Sequence, residues 1–167
     1  YVLRERNKAL TTATAVTTVS EWHRNFLSQY NSNTHLIYNG YDEESFVAND
    51  TPTDRFSITY TGRVYDRTLR DPSLLFEALQ DMPRLKNLQV DWFTDEAGKK
   101  AIEQLARQYG VDDIMAFHDY VRPDKVATLL HESSIVLVLT NKSKEGGPHG
   151  VLTTKFFEAL GTEKPVL

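Results

Sequence analysis

Short apolar segments alternate along this chain with segments of helical periodicity, and this alternation restricts the possible folds more than any other feature. The run IVLVL, residues 135–139, is apolar on both sides, which is typical of a parallel strand covered by helices on both faces. Strand and helix repetition at this spacing predicts an α/β fold with a Rossmann-like, mainly parallel sheet and helices on both faces. The segments that we predict to be strands are Ala15–Val19, His35–Tyr38, Arg55–Thr61, Leu88–Phe93, Ile114–Phe117 and Ser134–Leu139.

Residues with strong capping preferences mark the helices between these strands. Asp, Ser and Thr side chains accept hydrogen bonds from the first N–H groups of a helix, and proline fits its first turn. Gly110 predicts a helix end, because glycine readily adopts the left-handed conformation of a C-cap. We predict a turn at Asn39-Gly40 and helices that begin near Ser20, Asp42, Asp71, Thr94 and Pro123.

Composition excludes several classes of function. The 167 residues carry a formal net charge of -4, whereas a nucleic-acid surface needs a basic patch or stripe. The absence of cysteine excludes disulfides, thiolate catalysis and cysteine-ligated zinc. No apolar run approaches the ~20 residues that span a bilayer. We therefore expect a globular domain without a nucleic-acid partner.

The segment GGPHGVLTTKFFEALG, Gly146–Gly161, places a helix start without a carboxylate after a glycine-rich loop. A helix N-terminus is electropositive and normally favours Asp or Glu, yet Lys155 stands in the predicted first turn. A cationic helix start becomes favourable when an anion binds between the two positive groups. Alternatively, Lys155 is solvated and pairs with Glu158 at i, i+3.

The loop before this helix offers backbone groups to such an anion. Glycine lets the backbone approach a ligand closely, and the first N–H groups of a helix have no partner within it. The glycines are Gly146, Gly147 and Gly150, and the N–H groups that we expect to be free belong to Val151, Leu152, Thr153 and Thr154. This arrangement predicts an anion site, for which phosphate is the common ligand.

Polar residues also follow the other predicted strands. In an open parallel sheet, ligands bind beyond the carboxyl ends of the strands. The sequence lacks the glycine patterns of dinucleotide-binding folds and P-loops, so neither class is supported. The strand ends read Thr61-Gly62-Arg63, Phe93-Thr94, His118-Asp119-Tyr120-Val121 and Thr140-Asn141.

Five segments cover most of the chain in a recognisable order: AVTTVSEWHRNFL, LIYNGYDEESF, YTGRVYDRTLRDPSLLFEAL, VLVLTN and GVLTTKFFEALGTEKPVL. Together they resemble the nucleotide-sugar-binding half of a GT-B-fold glycosyltransferase of the retaining, family 4-like group. The resemblance implies transfer of a sugar from a nucleotide-diphosphate sugar to an acceptor, in polysaccharide or glycoconjugate synthesis. It implies that the sugar nucleotide is the donor substrate and that no cofactor is permanently bound.

The resemblance assigns the donor diphosphate to three cationic side chains. Arg63, which follows Gly62, is similar to the family arginine that contacts the diphosphate; the alternative is a surface arginine without a ligand. Arg70 occupies the place of a second phosphate-binding residue, usually lysine, although the loop before it is longer, and Arg67 is the alternative. With Lys155, these groups would stabilise the departing nucleoside diphosphate by preorganised electrostatics.

Other positions are implied to contact the nucleoside and the sugar. Glu158 resembles the glutamate that hydrogen-bonds the ribose hydroxyls, and Tyr120 and Val121 resemble the segment whose backbone reads the base. The family often has another glutamate eight positions before Glu158, where this chain has Gly150. Glu145 is the nearest acidic substitute, and the departure leaves the donor sugar undefined.

Three polar residues near these positions carry weaker signals. His149 is either a cation that touches phosphate or an exposed loop residue. His118 and Asp119 are not accompanied by other residues at metal-ligand spacing, so we predict no metal site.

The resemblance also implies a domain organisation and a cellular setting. Residues 1–34 would be the end of an N-terminal domain or a hinge, and residues 35–167 a donor-nucleotide-binding domain cut within a final strand, KPVL. The acceptor, a glycan or lipid-linked glycan, would bind the N-terminal domain, so we expect the isolated chain to be inactive. The expected location is the cytoplasm, with peripheral association of the full-length protein at the inner face of a membrane.

Two other functions are compatible with these residues. A non-catalytic binding or scaffolding module that retains the fold is favoured by the glycine at position 150. A nucleotide-sugar epimerase on the same fold would use a similar donor site.

Overall fold

The computed structural model describes residues 2–46, 54–64, 70–83, 85–141, 145 and 147–167. The chain divides into two compact units. The first contains Tyr1–Gly40 and Ser143–Phe157, and the second contains Tyr41–Lys142 and Glu158–Leu167. The domain boundary after residue 34 stays a prediction.

The first unit begins with α1 (Val2–Thr12), β1 (Val16–Thr18), α2 (Glu21–Leu27) and β2 (Thr34–Leu36). The two strands pair in parallel, with Val16 opposite Thr34. Ser20 caps α2 as predicted, because its Oγ accepts a hydrogen bond from the His23 N–H at 3.2 Å. The sequence did not predict α1; none of its residues is buried, so it lacks the apolar stripe that signals a packed helix.

The second unit contains the strands β3 (Phe56–Thr61), β4 (Leu88–Phe93), β5 (Met115–His118) and β6 (Ile135–Leu137). They form one parallel sheet in the order β5-β4-β3-β6. The intervening helices are α3 (Ser73–Asp81), α4 (Glu96–Tyr109) and α5 (Pro123–His131), with a 3₁₀ turn at Asp112–Ile114. The chain continues beyond β6 to a last helix, α6 (Thr154–Gly161).

One face of the second unit's sheet carries the larger hydrophobic core. Trp92 of β4 is fully buried at its centre, with its ring centroid 5.3 Å from that of Tyr60 and 6.0 Å from that of Phe76. Ile102 and Leu105 of α4 complete the contact. Burying each large apolar side chain contributes roughly 1.5–3 kcal/mol, so this cluster fixes α3 and α4 on the sheet.

The opposite face carries a smaller core. Val136 of β6 packs there with Leu130 of α5 and Ala159 of α6. Because successive residues of a strand point to opposite faces, Val136 and its neighbour Leu137 belong to different cores. The prediction of a parallel α/β sheet with helices on both faces is therefore confirmed.

The predicted strands are all present, with ends that differ by at most two residues. The segment KPVL behaves as predicted for the start of a strand: the Val138 N–H donates to the Leu167 carbonyl at 2.9 Å, and the Leu167 N–H donates to Val136 at 3.0 Å. Gly110 ends α4 in the left-handed conformation, with φ of 63°.

Three local predictions are wrong. The short helix expected after Asp42 is a turn, because the Asp42 carboxylate bonds the Glu44 N–H at 3.2 Å within its own segment. Asn39 and Gly40 form irregular backbone rather than a turn. The α3 helix begins at Ser73, two residues after Asp71, and Pro72 rather than Asp71 is its N-cap.

None of the helices in the described ranges has both the length and the apolar character needed to cross a membrane.

Candidate functional site

The carboxyl ends of β3 and β6 lie at the point where the strand order of the sheet changes direction. After β3 the chain passes through α3 to β4, which lies on one side of β3, and then to β5 beyond it. It then returns through α5 to β6, which pairs with β3 on the other side. Ligands of open parallel sheets bind in the crevice at such a switch point. Gly62 and Arg63 follow β3, and Thr140 and Asn141 lie beyond β6.

The guanidinium of Arg70 bridges these two strand ends. Its Nε donates to the Oδ1 of Asn141 at 3.0 Å, and its Nη1 donates to the carbonyl oxygen of Arg63 at 2.9 Å. The same Nη1 lies 3.3 Å from the hydroxyl oxygen of Tyr60. The structure thus brings Arg63 and Arg70 together, two of the residues that we predict to bind the donor diphosphate.

Tyr60 provides a rigid anchor for this arrangement. Its ring is buried in the larger core against Trp92, and its hydroxyl donates to the Arg63 carbonyl oxygen at 2.9 Å. A buried aromatic ring with a satisfied hydroxyl group has little freedom to move. The core therefore sets the position of the Arg63 backbone, and through it that of Arg70.

Gly62 and Arg63 turn the chain outward at the end of β3. Gly62 has a φ of 139°, which side-chain-bearing residues rarely adopt. The side chain of Arg63 is 60% exposed, and its Nε lies 3.7 Å from the Oδ2 of Asp95. An exposed ion pair of this length contributes little to stability, so the Arg63 guanidinium can turn towards an anionic ligand at small cost.

Asp95 also caps α4, since its Oδ1 accepts a hydrogen bond from the Gly98 N–H at 2.9 Å. The predicted start of this helix is confirmed. One carboxylate thus joins the loop after β3 to the beginning of α4.

A third charged contact holds the loop after β5, which contains Tyr120 and Val121. The Nζ of Lys99 lies 2.7 Å from carboxylate oxygens of both Asp119 and Glu96. The hydrogen bond from Lys99 lowers the pKa of Asp119, and the hydrogen bonds to Asp119 and Glu96 raise the pKa of Lys99. Tyr120 is exposed and Val121 is half-buried next to Asp119, and their contact with a base stays a prediction.

His118 and Asp119 have separate partners. The Nε2 of His118 lies 2.7 Å from the Oδ1 of the buried Asp91, and its ring stacks on Phe93 with 4.2 Å between centroids. Among the residues that the structure describes, no group of three or more His, Asp or Glu side chains could hold a metal ion.

The glycine-rich loop and the start of α6 differ in part from the prediction. Gly150 is exposed with a φ of 63°, and residues 151–153 precede the helix in irregular backbone. Because α6 begins at Thr154, its first four N–H groups are those of residues 154–157, so the N–H groups of Val151, Leu152 and Thr153 do not belong to the helix. Lys155 is in the first turn as predicted, and that turn has no acidic residue.

The remaining predicted residues lie in different surroundings. Glu158 on α6 is half-buried, and its side chain forms no hydrogen bond or ion pair with the other described residues. Glu145 and His149 are exposed, and the His149 ring lies 3.2 Å from the Gly147 carbonyl. Arg67 and Gly146 lie outside the described residues. A phosphate site that combines Lys155 and the loop with the two arginines stays a prediction.

Sequence reasoning gave no role in the site to Asn141 and Tyr60, which bond Arg70, or to Asp95, which pairs with Arg63. Asn141 was visible only as a polar residue after a buried strand, and Asp95 only as a helix cap. The sequence pattern indicates only that Tyr60 is a core residue of β3. Their contacts with the arginines depend on tertiary structure, which no local pattern reports.

Solved structures that resemble this chain include glycosyltransferases. The chain resembles sucrose-phosphate synthase from Thermosynechococcus elongatus with a TM-score of 0.73 and 20% identity, over 98% of this chain and 42% of that chain. It resembles Anabaena HepE in complex with UDP and glucose with a TM-score of 0.69 and 19% identity, over 98% and 47% of the two chains. For a glycosyltransferase from Rickettsia africae the values are 0.71 and 14%, over 97% and 47%. No protein-family model matches the chain, and no curated protein matches its sequence.

These comparisons define the class of fold. The chain has the Rossmann-like α/β architecture of one half of a GT-B glycosyltransferase. It spans less than half the length of each of these three structures.

Proposed function

We propose that the chain is the donor-nucleotide-binding half of a retaining, family 4-like glycosyltransferase. The observation that carries the proposal is the position of Arg70, whose guanidinium lies between the carboxyl ends of β3 and β6 on Asn141 and the Arg63 carbonyl. A fixed, planar cation at the switch point of a parallel sheet suits the diphosphate of a sugar nucleotide. Anabaena HepE, solved with UDP and with UDP-glucose, supports a UDP-sugar as the donor.

In the proposed reaction, the bond between the sugar's anomeric carbon and the diphosphate breaks, and negative charge grows on the departing phosphate. Arg63, Arg70 and Lys155 are the side chains that we assign to this charge, together with the N-terminus of α6. Fixed positive groups stabilise such charge well, because they need not reorganise as the bond breaks. These cations would neutralise the diphosphate without a bound metal.

We assign the nucleoside to two groups of residues, one for the ribose and one for the base. Glu158 would accept hydrogen bonds from the ribose hydroxyls, for which a half-buried carboxylate without a partner among the described residues is suited. The backbone of Tyr120 and Val121 would contact the base. Gly62 and the backbone from Gly150 to Thr154 would allow close approach of the phosphates.

The wider setting is part of the same proposal. The acceptor, a glycan or a lipid-linked glycan, binds the other half of the enzyme in polysaccharide or glycoconjugate synthesis. The reaction takes place in the cytoplasm, with the full-length protein peripherally associated with the inner face of the membrane. We expect the isolated chain to bind donor without turning it over.

Thermal unfolding with UDP, GDP and ADP tests donor binding directly. A nucleotide at a hundredfold excess over its Kd stabilises the folded state by about 2.7 kcal/mol. For a chain of this length, that corresponds to a rise in Tm of roughly 5–11 °C. Arg63→Ala and Arg70→Ala are expected to reduce the shift strongly.

Arg107→Ala is the matched control, because Arg107 is exposed in the last turn of α4 and pairs with Glu103 at the opposite edge of the sheet. It should leave the nucleotide shift intact. Absence of a shift with all three nucleotides would count against the proposal.

A non-catalytic binding module is the second candidate, and the conformation of Gly150 favours it. Its φ of 63° is strained for a glutamate, so the family's sugar-contacting residue would not fit this backbone without cost. Transferase activity of the full-length enzyme carrying Arg63→Ala or Glu158→Ala separates the two candidates. A large loss of activity supports the transferase, and undiminished activity supports the module.

A further inference from the structure

We infer that Asn141 is a positioning residue whose side-chain amide orients the Arg70 guanidinium towards the donor diphosphate. The inference rests on the proposed function, in which Arg70 binds that diphosphate. Asn141 is exposed beyond the end of β6, and its Oδ1 accepts a hydrogen bond from the Arg70 Nε at 3.0 Å. Nothing in the sequence pattern assigns this residue a role.

The geometry shows why Asn141 matters for the orientation of Arg70. A guanidinium is planar, and its N–H groups point in fixed directions within that plane. The Nη1 bonds to groups near the end of β3, the Arg63 carbonyl at 2.9 Å and the Tyr60 hydroxyl at 3.3 Å. The Nε contact with Asn141 adds a restraint on this plane from the side of β6.

An amide suits this position because its oxygen accepts a hydrogen bond from the Arg70 N–H without adding charge. A carboxylate would bond Arg70 more strongly, but it would cancel the positive charge that attracts a diphosphate. Asn141 therefore restricts the side chain of Arg70 and preserves its charge. Preorganisation of this kind raises affinity by reducing the ordering that binding requires.

The first test follows the Arg70 Nε–H in the protein without nucleotide. A hydrogen-bonded arginine Nε–H exchanges slowly and gives a resolved ¹H–¹⁵N signal. We expect this signal in the wild type and its loss in Asn141→Ala. Asn87→Ala is the matched control, because Asn87 is also an exposed asparagine that bonds a distant carbonyl, that of Asp54 at 3.2 Å. Persistence of the signal in Asn141→Ala would overturn the inference.

The second test is a double-mutant cycle on nucleotide binding, measured by calorimetry with whichever of UDP, GDP and ADP binds the wild type best. Asn141→Ala should raise Kd roughly threefold to tenfold, which is the range of one modest hydrogen bond. The same change in an Arg70→Ala background should alter Kd less than twofold, since no Arg70 guanidinium then remains for Asn141 to orient. The affinity for the nucleoside without phosphates should not change.

The outcomes separate this inference from the proposed function. Equal losses in both backgrounds would mean that Asn141 acts independently of Arg70, which overturns the inference and leaves donor binding in place. A wild type that binds none of the three nucleotides overturns the proposed function, and with it the part of the inference that concerns the donor diphosphate. The Nε–H signal then still shows whether Asn141 holds Arg70.

Discussion

The Nε of Arg70 lies 3.0 Å from the Oδ1 of Asn141, although 71 residues separate them in the chain. This contact joins the loop that leads into α3 to the end of β6. Side-chain contacts also join the segments that follow the other neighbouring strands. Taken together, these contacts connect the carboxyl ends of β6, β3, β4 and β5 in turn. The further contacts are Arg63 with Asp95, and Lys99 with Asp119.

Replacing Arg70 by lysine tests whether charge alone is sufficient at this position. Arg70→Lys keeps the positive charge but lacks the planar fork that contacts Asn141 and the Arg63 carbonyl together. We expect a loss of about tenfold in nucleoside-diphosphate affinity, or about 1.4 kcal/mol, by calorimetry. Arg107→Lys should have no effect, and an unchanged affinity for Arg70→Lys would show that geometry is unimportant.

The strands and most helix ends were predictable because their signals are local. β-branched and apolar runs bounded by polar residues identify β3, β4 and β6, and Gly110 marks the end of α4 through its backbone freedom. The helix expected at Asp42 was wrong because an Asp side chain supports an isolated turn as readily as a helix start.

The arrangement of the candidate site was predictable only in part. The sequence indicated that Arg63 and Arg70 follow β3, and the structure has both at the carboxyl end of that strand; their role in a site stays a prediction. It gave no sign of the partners that orient them, because Asn141 becomes a neighbour of Arg70 only through the pairing of β3 with β6, and the contact of Arg70 with the Tyr60 hydroxyl is likewise tertiary. Lys155 was correctly expected in the first turn of α6, but the helix begins only at Thr154, so the N–H groups of residues 151–153 were wrongly counted among its first.

Gly62 is predicted to be required for stability at the end of β3. Its φ of 139° lies in a region that costs a side-chain-bearing residue of order 1–3 kcal/mol. Gly62→Ala should therefore lower Tm by several degrees in thermal unfolding, about 2–4 °C for each kcal/mol. Gly40→Ala is the control, since an added Cβ there meets no atom within 4 Å and its φ is ordinary. Equal Tm values for both variants would contradict the prediction.

Lys99→Met should release the loop after β5 and change the pH dependence of stability. The pKa of Asp119 is lowered on folding, so its contribution is present above the ordinary value of 3.8 and is lost as pH falls through the folded value. The pKa of Lys99 is raised, so its contribution is complete below 10.5 and is lost as pH rises through the folded value.

The difference in Tm between wild type and Lys99→Met should therefore be constant near neutral pH and shrink in acid. In the variant, NMR titration should show the pKa of Asp119 returning towards its ordinary value. Lys100 is the next residue of α4 and is exposed. Lys100→Met should change neither the pH dependence of Tm nor the pKa of Asp119. An unchanged pKa of Asp119 in Lys99→Met would exclude Lys99 as its main partner.

Glu158→Ala is predicted to remove the preference of the protein for ribose over deoxyribose. In the proposed site, the carboxylate accepts hydrogen bonds from both ribose hydroxyls, and a hydrogen bond to a charged group is worth about 1.5–3 kcal/mol. The wild type should then bind UDP at least tenfold more tightly than 2′-deoxy-UDP, whereas the variant should bind the two alike in calorimetry. Glu132→Ala, an exposed glutamate after α5, should keep the wild-type preference. A retained preference in Glu158→Ala would mean that this carboxylate does not contact the ribose, because removal of its acceptor oxygens would then have left the 2′-hydroxyl contact intact.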